Sequence, residues 1–479
     1  MSYSLRRVTM KSRTGLMMTA AICVLAAAAG GADLYERAPD VQPGTLPEMR
    51  NPSYWIERMD KPDEVVLPLD EILRRNRAYQ AWASSPNPFE GVPEDRIPIP
   101  YFYPGVVLNP PDMHALELSA VADTVRKRIR DQVEYLRGTE WGNPFAVKYA
   151  VWEIEVIVDE MALEAVSDDI HIRDAITVHT SRIRNVPALY PQFVGTGDSG
   201  SHRWDRWSIG LIKIGRPVTV LHASASGEFL FVLCEYAYGW VRSENVAFGG
   251  REEIASFADS PAFVMCTGDR VQLYTDKNCR YSTGWFMMSD RLPMASRLNT
   301  RLVQIPVRKT SGDFAIDVAW LAPDADVHVD YLPYTRRNIV LQAFKLLDGL
   351  YDFTGALLGR QHETVYRDVF ACFGFELPRT DPLYTFYGDD ETVLHPEAGK
   401  EEQYRLILDH EPFVTLQSCG RHGQLFLGEY EGEPIVFDQH GYGYEDENGI
   451  RLEVMRVNIG TLLLPEYFLQ RNITFLELK

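Results

Sequence analysis

The sequence predicts a multi-domain α+β chain: a helical N-terminal domain, two small antiparallel β-barrels and a C-terminal α+β domain. Three observations lead there. At 479 residues, the chain holds about three domains of roughly 150 residues each. Its apolar spacing is three and four between residues 118 and 136, becomes two near residue 217, and returns to a helical pattern at 338. Finally, 14 of the 29 prolines lie between Pro39 and Pro111, where they remove backbone donors and block helix. That stretch therefore reads as an arm laid over other domains.

Composition and period together divide the chain. Residues 1–32 read as a signal peptide, 33–115 as a proline-rich extended arm and 116–195 as the helical domain. The barrels follow at 196–255 and 256–335, and the C-terminal domain occupies 336–479.

Compartment is read from the first forty residues. Arg6, Arg7, Lys11 and Arg13 precede an apolar run over 15–29, too short to span a bilayer, and Gly30 and Ala32 fit cleavage after Ala32. Ile22 stands where a lipoprotein signal would want a small residue before Cys23. The expectation is a soluble exported protein, periplasmic rather than lipid-anchored, with no stable membrane insertion once the signal is cleaved. Cleavage removes four positive charges and takes the formal charge from −19 to −23. Such a surface repels nucleic acid and anionic lipid, and no Lys/Arg cluster interleaved with aromatics offsets it. Five cysteines remain, Cys234, Cys266, Cys279, Cys372 and Cys419, so at least one thiol is free, and no CxxC pair suggests structural zinc. Cys266 and Cys279 form either a bridge or two buried thiols.

Within these units, a short helix is expected over 70–82. A longer one over 118–136 buries Val121, Val125, Ile129 and Val133, with Gly138 placed to end it. A third is expected over 147–166, with Glu153, Glu155 and Asp159 on a solvated face. Strands over 218–222, 229–233 and 239–241 make the first barrel, and strands near 270–274, 300–307 and 316–321 make the second. Trp204 and Trp207 are expected to anchor the first barrel against its neighbour, and Trp141 looks exposed. His114, His179 and His202 read as surface or ordinary hydrogen-bonding residues. An amphipathic helix over 338–351 opens the C-terminal domain.

That helix is followed by Gly-Arg-Gln-His-Glu-Thr-Val-Tyr-Arg-Asp-Val-Phe at 359–370 and Phe-Gly-Phe-Glu-Leu-Pro-Arg at 373–379. In this order the segments resemble the NlpC-type branch of papain-like cell-wall cysteine peptidases, which cut between γ-D-glutamate and the diamino acid of peptidoglycan stem peptides. The stretch 367–379 carries the most specific part of the likeness. The order Pro217 to Ser224, an aromatic strand, then Gly239-Trp240-Val241 is similar to a bacterial Src-homology-type barrel. The arrangement of helical stabilising domain, two barrels and peptidase domain also looks like multi-domain members of that family. The resemblance implies a papain-like C-terminal fold and no cofactor.

The same resemblance implies a site, and the sequence departs from it. His362 stands at the nucleophile position, where the family has a cysteine at a helix N-terminus. There the dipole and unpaired amides lower a thiol pKa. Imidazole is a poor acyl acceptor, so the family's covalent route is not expected. His422 matches the general base, and Asp438 or His440 the third member. Gln361 replaces the acidic residue before the nucleophile, and Tyr351 begins an altered glycine turn; these two and Glu363 are the candidate binding residues. Cys372 lies about 15 Å from His362 along the helix at 1.5 Å per residue, and reads as core. Cys419 lies three residues before His422. His362, His422 and His440 together supply an alternative, a three-histidine metal site with an open position.

Three readings follow. One is a catalytically inactive wall-associated protein that binds stem peptides or a cell-wall protein. A second is a muropeptide hydrolase using Cys419 or a metal. The last is a structural or regulatory subunit of an active paralogue.

Overall fold

The computed structural model describes residues 36–37, 39–85, 107, 110–142, 147–190, 193–194, 205–352, 355, 358–378, 387, 391–394, 399–419, 422–440, 443–445, 451–461 and 473–479. The expected signal segment, the prolines of 97–104, His202 and Trp204 lie outside the described residues, as do the side chains of His362, Glu363, Cys419, His422 and His440.

Residues 39–85 lie over the C-terminal domain, as expected of an arm, but much of the segment is helical rather than extended. Helix α1 (Pro52–Ile56) starts where Asn51 accepts a hydrogen bond from the Ser53 amide and Pro52 fixes the first φ. Trp55 is buried, donates to the Met49 carbonyl at 2.8 Å and meets Phe413 edge-on at 6.3 Å. Helix α2 (Leu69–Ala83) covers the expected 70–82 and sends Ile72 and Tyr79 into the same core.

Helix α3 (Leu118–Arg137) buries the expected apolar stripe and ends at Gly138. Helix α4 (Val151–Glu160) is shorter than expected because Ala162 takes a left-handed φ of 49°, which turns the chain out of the helix. Its acids are solvated: Glu155 pairs with Arg137 and Glu153 accepts from the Ala150 amide.

The first barrel is a seven-stranded antiparallel sheet ordered Val246–Phe248, Arg173–Thr177, Pro217–Ala223, Phe229–Leu233, Tyr238–Arg242, Ser181–Arg184 and Ser208–Ile212. Two of these strands precede residue 196, so the unit starts earlier than composition suggested. They read Arg-Asp-Ala-Ile-Thr and Ser-Arg-Ile-Arg, with neither a clear alternation nor an apolar run to mark them. Trp207 is buried, meets Trp141 edge-on at 5.6 Å and stacks on Tyr149 at 6.0 Å, joining barrel to helices. Trp141 is itself 2% exposed, with its indole N–H on the Leu136 carbonyl, so the expectation of an exposed ring was wrong.

Helix α5 (Arg251–Ala258) leads into the second barrel, built of one three-stranded and one four-stranded sheet. Its strands Arg270–Tyr274, Leu302–Arg308 and Phe314–Trp320 fall where period-two spacing put them. The two barrels are not independent: Ile176, Val178, Ile214 and Ala247 of the first share one apolar cluster with Val264, Cys266 and Phe286 of the second. Cys266 is buried in that cluster, Cys279 is half-buried, and both are free thiols, so the possible bridge between them is not formed.

Helix α6 (Arg336–Phe344) begins at Thr335, whose hydroxyl accepts from the Asn338 amide. It stops well before 351: the Lys345, Leu346 and Leu347 amides turn back onto the Gln342, Ala343 and Phe344 carbonyls, and Asp348, at φ 65°, then redirects the chain and donates its amide to the Val457 carbonyl. Helices α7 (His362–Ala371) and α8 (Lys400–Leu408) follow. The antiparallel sheet comprises β1 (Glu391–Leu394), β2 (Thr415–Cys419), β3 (His422–Tyr430), β4 (Glu433–His440), β5 (Arg456–Thr461) and β6 (Ile473–Glu477), in the order β1-β6-β2-β3-β4-β5. Val365, Tyr366, Val369 and Phe370 of α7 share a core with Leu425 and Phe437 of the sheet. Among the described residues, no helix is long and apolar enough to cross a membrane.

Candidate functional site

Helix α7 starts at His362, with Gln361 as its N-cap residue in an extended conformation. The Gln361 carbonyl accepts from the Thr364 and Val365 amides, which closes the first turn. The segment before the helix is held from two sides. Asp352 is buried, accepts from the Gly359 amide at 2.6 Å and donates its own amide to the Arg360 carbonyl at 2.7 Å. Gln439 of β4, also buried, donates to the same Arg360 carbonyl at 3.0 Å. Gln439 was passed over in favour of its neighbours; its amide staples the sheet to the entrance of α7.

Gly355 rests on the first barrel at φ 72°, where an added Cβ would come within 2.6 Å of Leu211 Cγ. Gly355→Ala is therefore expected to lose about 1–2 kcal/mol, from left-handed backbone strain and displacement of Leu211, read as a drop in Tm.

The sheet brings several predicted residues to one place. Cys419 and His422 are direct Cα partners across the β2–β3 turn, and Gln417 pairs with Gln424 two residues along. Gln424 in turn pairs with Asp438, and His440 with Arg456. A buried polar row crosses three strands: Gln417 donates to Gln424 at 3.1 Å, and Gln424 donates to Asp438 at 2.8 Å. Asp438 is thus held from behind by the Gln424 amide, whose partner lies on another strand and carries no local sequence signal. Asp438 and His440 occupy alternate positions of β4, which share a face. Tyr351 is half-buried and donates its amide to Met455, tying it to the approach to β5.

The described thiols near this domain are poor nucleophiles. Cys372 is the C-cap of α7, fully buried, and burial pushes its pKa up to about 12. Burial likewise raises Cys266 well above the usual thiol range.

Beside the helix lies a cavity of about 570 Å³, enclosed by α2, the two barrels and the flank of α7 that carries Gln361, Thr364, Arg367 and Asp368. A volume of this order suits a short peptide or similar small ligand. Its floor is an ionic network. Asp368 accepts from Lys213 at 2.6 Å and from Arg360 at 2.7 Å, and Arg360 also reaches Asp269. Lys213 comes from the first barrel, Asp368 and Arg360 from the C-terminal domain, and Asp269 of the second barrel joins through Arg360, so one ionic network ties three units together. Burial works against the Asp368 charge, but the two cations overcome it and hold the carboxyl below its usual pKa. Sequence offered only a weak hint of this, a single acid among Val365, Tyr366, Val369 and Phe370.

The SH3 domain (SH3b1 type) family matches residues 191–242. No curated protein matches the chain. Among solved structures, an NlpC/P60 endopeptidase from Photobacterium damselae subsp. piscicida is similar at 16% identity, covering 88% of this chain and 96% of that one, with a TM-score of 0.68. An NlpC/P60 family protein from Bacillus cereus ATCC 10987 aligns at 15% identity over 62% of this chain and 97% of that one, with a TM-score of 0.41. The first likeness establishes the architecture: a multi-domain α+β fold with N-terminal helices, SH3b-type sheets and an NlpC/P60-like C-terminal domain.

Proposed function

We propose that the chain is an exported, periplasmic protein directed to the cell wall, whose cleft binds peptidoglycan stem peptides without cleaving them by a thiol route. The observation that carries this reading is the start of α7. A papain-like enzyme needs a thiolate at that helix N-terminus, and here the helix opens with Gln361 and His362. The retained fold, the SH3-type barrel and a peptide-sized cavity beside the same helix support a binding role.

A second reading has one specific observation in its favour. Cys419 and His422 are Cα partners in the sheet, and directly opposed strand positions lie about 4.5–5.5 Å apart at Cβ. That spacing suits a thiol–imidazole pair, though one without the N-terminal dipole of a helix. Calorimetry and mass spectrometry with L-Ala-γ-D-Glu-diaminopimelate separate the two readings. Binding with the peptide intact supports the first. Cleavage that disappears in Cys419→Ala supports the second and overturns the first.

A further inference from the structure

Arg216 is the unexplained charge of the cavity. It sits in the turn between two strands of the first barrel, with its backbone fixed: its carbonyl accepts from the Thr177 amide at 3.0 Å, and its amide donates to the Thr177 hydroxyl at 3.0 Å. Its side chain lines the cavity, part-buried, and the guanidinium makes no hydrogen bond or ion pair with any described residue. The other cations are engaged. Lys213 is committed to Asp368, Ser289 and the Met288 carbonyl, Arg291 donates to the Tyr331 hydroxyl, and Arg367 donates to the Leu377 carbonyl with Glu235 3.7 Å away.

A guanidinium carries five donors in a planar fork that matches a carboxylate in bidentate geometry. Part-buried in a protein-lined space with no hydrogen-bonding partner among the described residues, those donors are open to an arriving acceptor. Burial works against the charge of Arg216, and the more distant Glu235, Asp290 and Glu376 more than offset this, so the group stays protonated.

Charge balance narrows the ligand. Among the described lining residues, Lys213, Arg216, Arg291 and Arg367 face Glu235, Asp368 and Glu376, an excess of one positive charge. One carboxylate satisfies that excess, whereas a phosphate dianion would be left against two glutamates.

We propose that this cavity is a binding site for a carboxylate-bearing peptide, with Arg216 as the cation that holds the carboxylate. The identity of the peptide as a wall fragment rests on the function proposed above; the carboxylate site itself does not.

The test compares the full chain with Arg216→Gln by calorimetry and thermal shift against four probes. These are L-Ala-γ-D-Glu-diaminopimelate, the same peptide with its carboxylates converted to carboxamides, the unrelated acidic tripeptide L-Ala-L-Glu-L-Ala, and inorganic phosphate. Free Arg216→Gln is expected to melt within a few degrees of wild type, because the side chain makes no hydrogen bond or ion pair with a described residue whose loss would unfold the chain, so lost binding is not lost folding. For a carboxylate peptide, the variant is expected to bind at least about tenfold more weakly, and amidation of the ligand to cost wild type a similar factor and the variant little. Phosphate is expected to bind neither. Arg216-dependent binding of the unrelated tripeptide but not the wall peptide supports the site and overturns the wall reading. Binding of the wall peptide unchanged by Arg216→Gln overturns the site and leaves the wall reading standing. No Arg216-dependent carboxylate binding, or tighter binding of phosphate, overturns the site.

Discussion

Asp368→Ala is expected to destabilise the protein by about 3–5 kcal/mol, the usual cost of removing one member of a buried charge network. The carboxylate is 4% exposed, and its partners Arg360 and Lys213 are 8% and 14% exposed at the side chain. Alanine leaves both cations without their main partner, and Ser289, 3.3 Å from the same carboxylate oxygen, loses an acceptor. Because Lys213, Asp269 and Asp368 belong to three units, the loss should appear as weakened cohesion between the barrels and α7 as well as a lower midpoint. Asp368→Asn keeps an acceptor and should lose less. Arg405→Ala, at an exposed pair with Glu402, should change stability by no more than about 0.5 kcal/mol. Urea denaturation of the three variants checks this; a change below about 1 kcal/mol for Asp368→Ala would mean the network is not cohesive. Since the folded-state pKa of Asp368 is depressed, its contribution is fully present above the ordinary aspartate value near 3.8 and disappears as pH falls through the lower folded value.

Asp290 should behave in the opposite sense. It is 1% exposed, and burial, only partly countered by Lys213, raises its pKa to about 6. One oxygen accepts from the Met287 amide at 2.8 Å, while the other has no hydrogen bond and lies 3.8 Å from Lys213. Between the unfolded value of 3.8 and about 6, the folded state binds more protons than the unfolded state, so stability falls as pH rises through that window. At about 1.4 kcal/mol for each pH unit between the two values, the cost above it is about 3 kcal/mol. Asp290→Asn keeps the acceptor for Met287 and cannot ionise. It is expected to be more stable than wild type by about 1–3 kcal/mol at pH 8, with the difference shrinking to near zero at about pH 4. Paired denaturation curves at the two pH values check it; a variant less stable than wild type at pH 8 would mean the carboxylate is satisfied in the fold.

The contrast between these charges and the helices explains what was readable. Helix α3 and the strand Arg270–Tyr274 are legible because burial on one face imposes a period on the chain, and Phe229–Leu233, buried throughout, because it is a continuous apolar run. Helices α4 and α6 are shorter than the periodicity predicts because local backbone turns that no periodicity marks limit them: Ala162 in a left-handed conformation after α4, and the tight turns from Lys345 to the left-handed Asp348 after α6. The two early barrel strands, Arg173–Thr177 and Ser181–Arg184, carry charged and polar residues within a short span, so neither alternation nor an apolar run marks them. Of the site, the position of α7 and the strands of His422 and Asp438 are legible, since these follow an ordered motif. Arg216, Lys213, Asp269 and Asp368 are not. Each is a charged residue of the kind that ordinarily faces water, and only the packing of barrels against α7 gathers them. Gln439 and Gln424 were hidden for the same reason, their partners lying on other strands or before the helix.

The central claim is that a stem peptide can occupy this cleft while no sulfur attacks it. The most direct test is a long incubation of purified full chain with L-Ala-γ-D-Glu-diaminopimelate, followed by mass spectrometry, with calorimetry on the same sample. Measurable binding and an intact tripeptide are the expected result. Release of free diaminopimelate by wild type, and its absence with Cys419→Ala or His422→Ala, would contradict it.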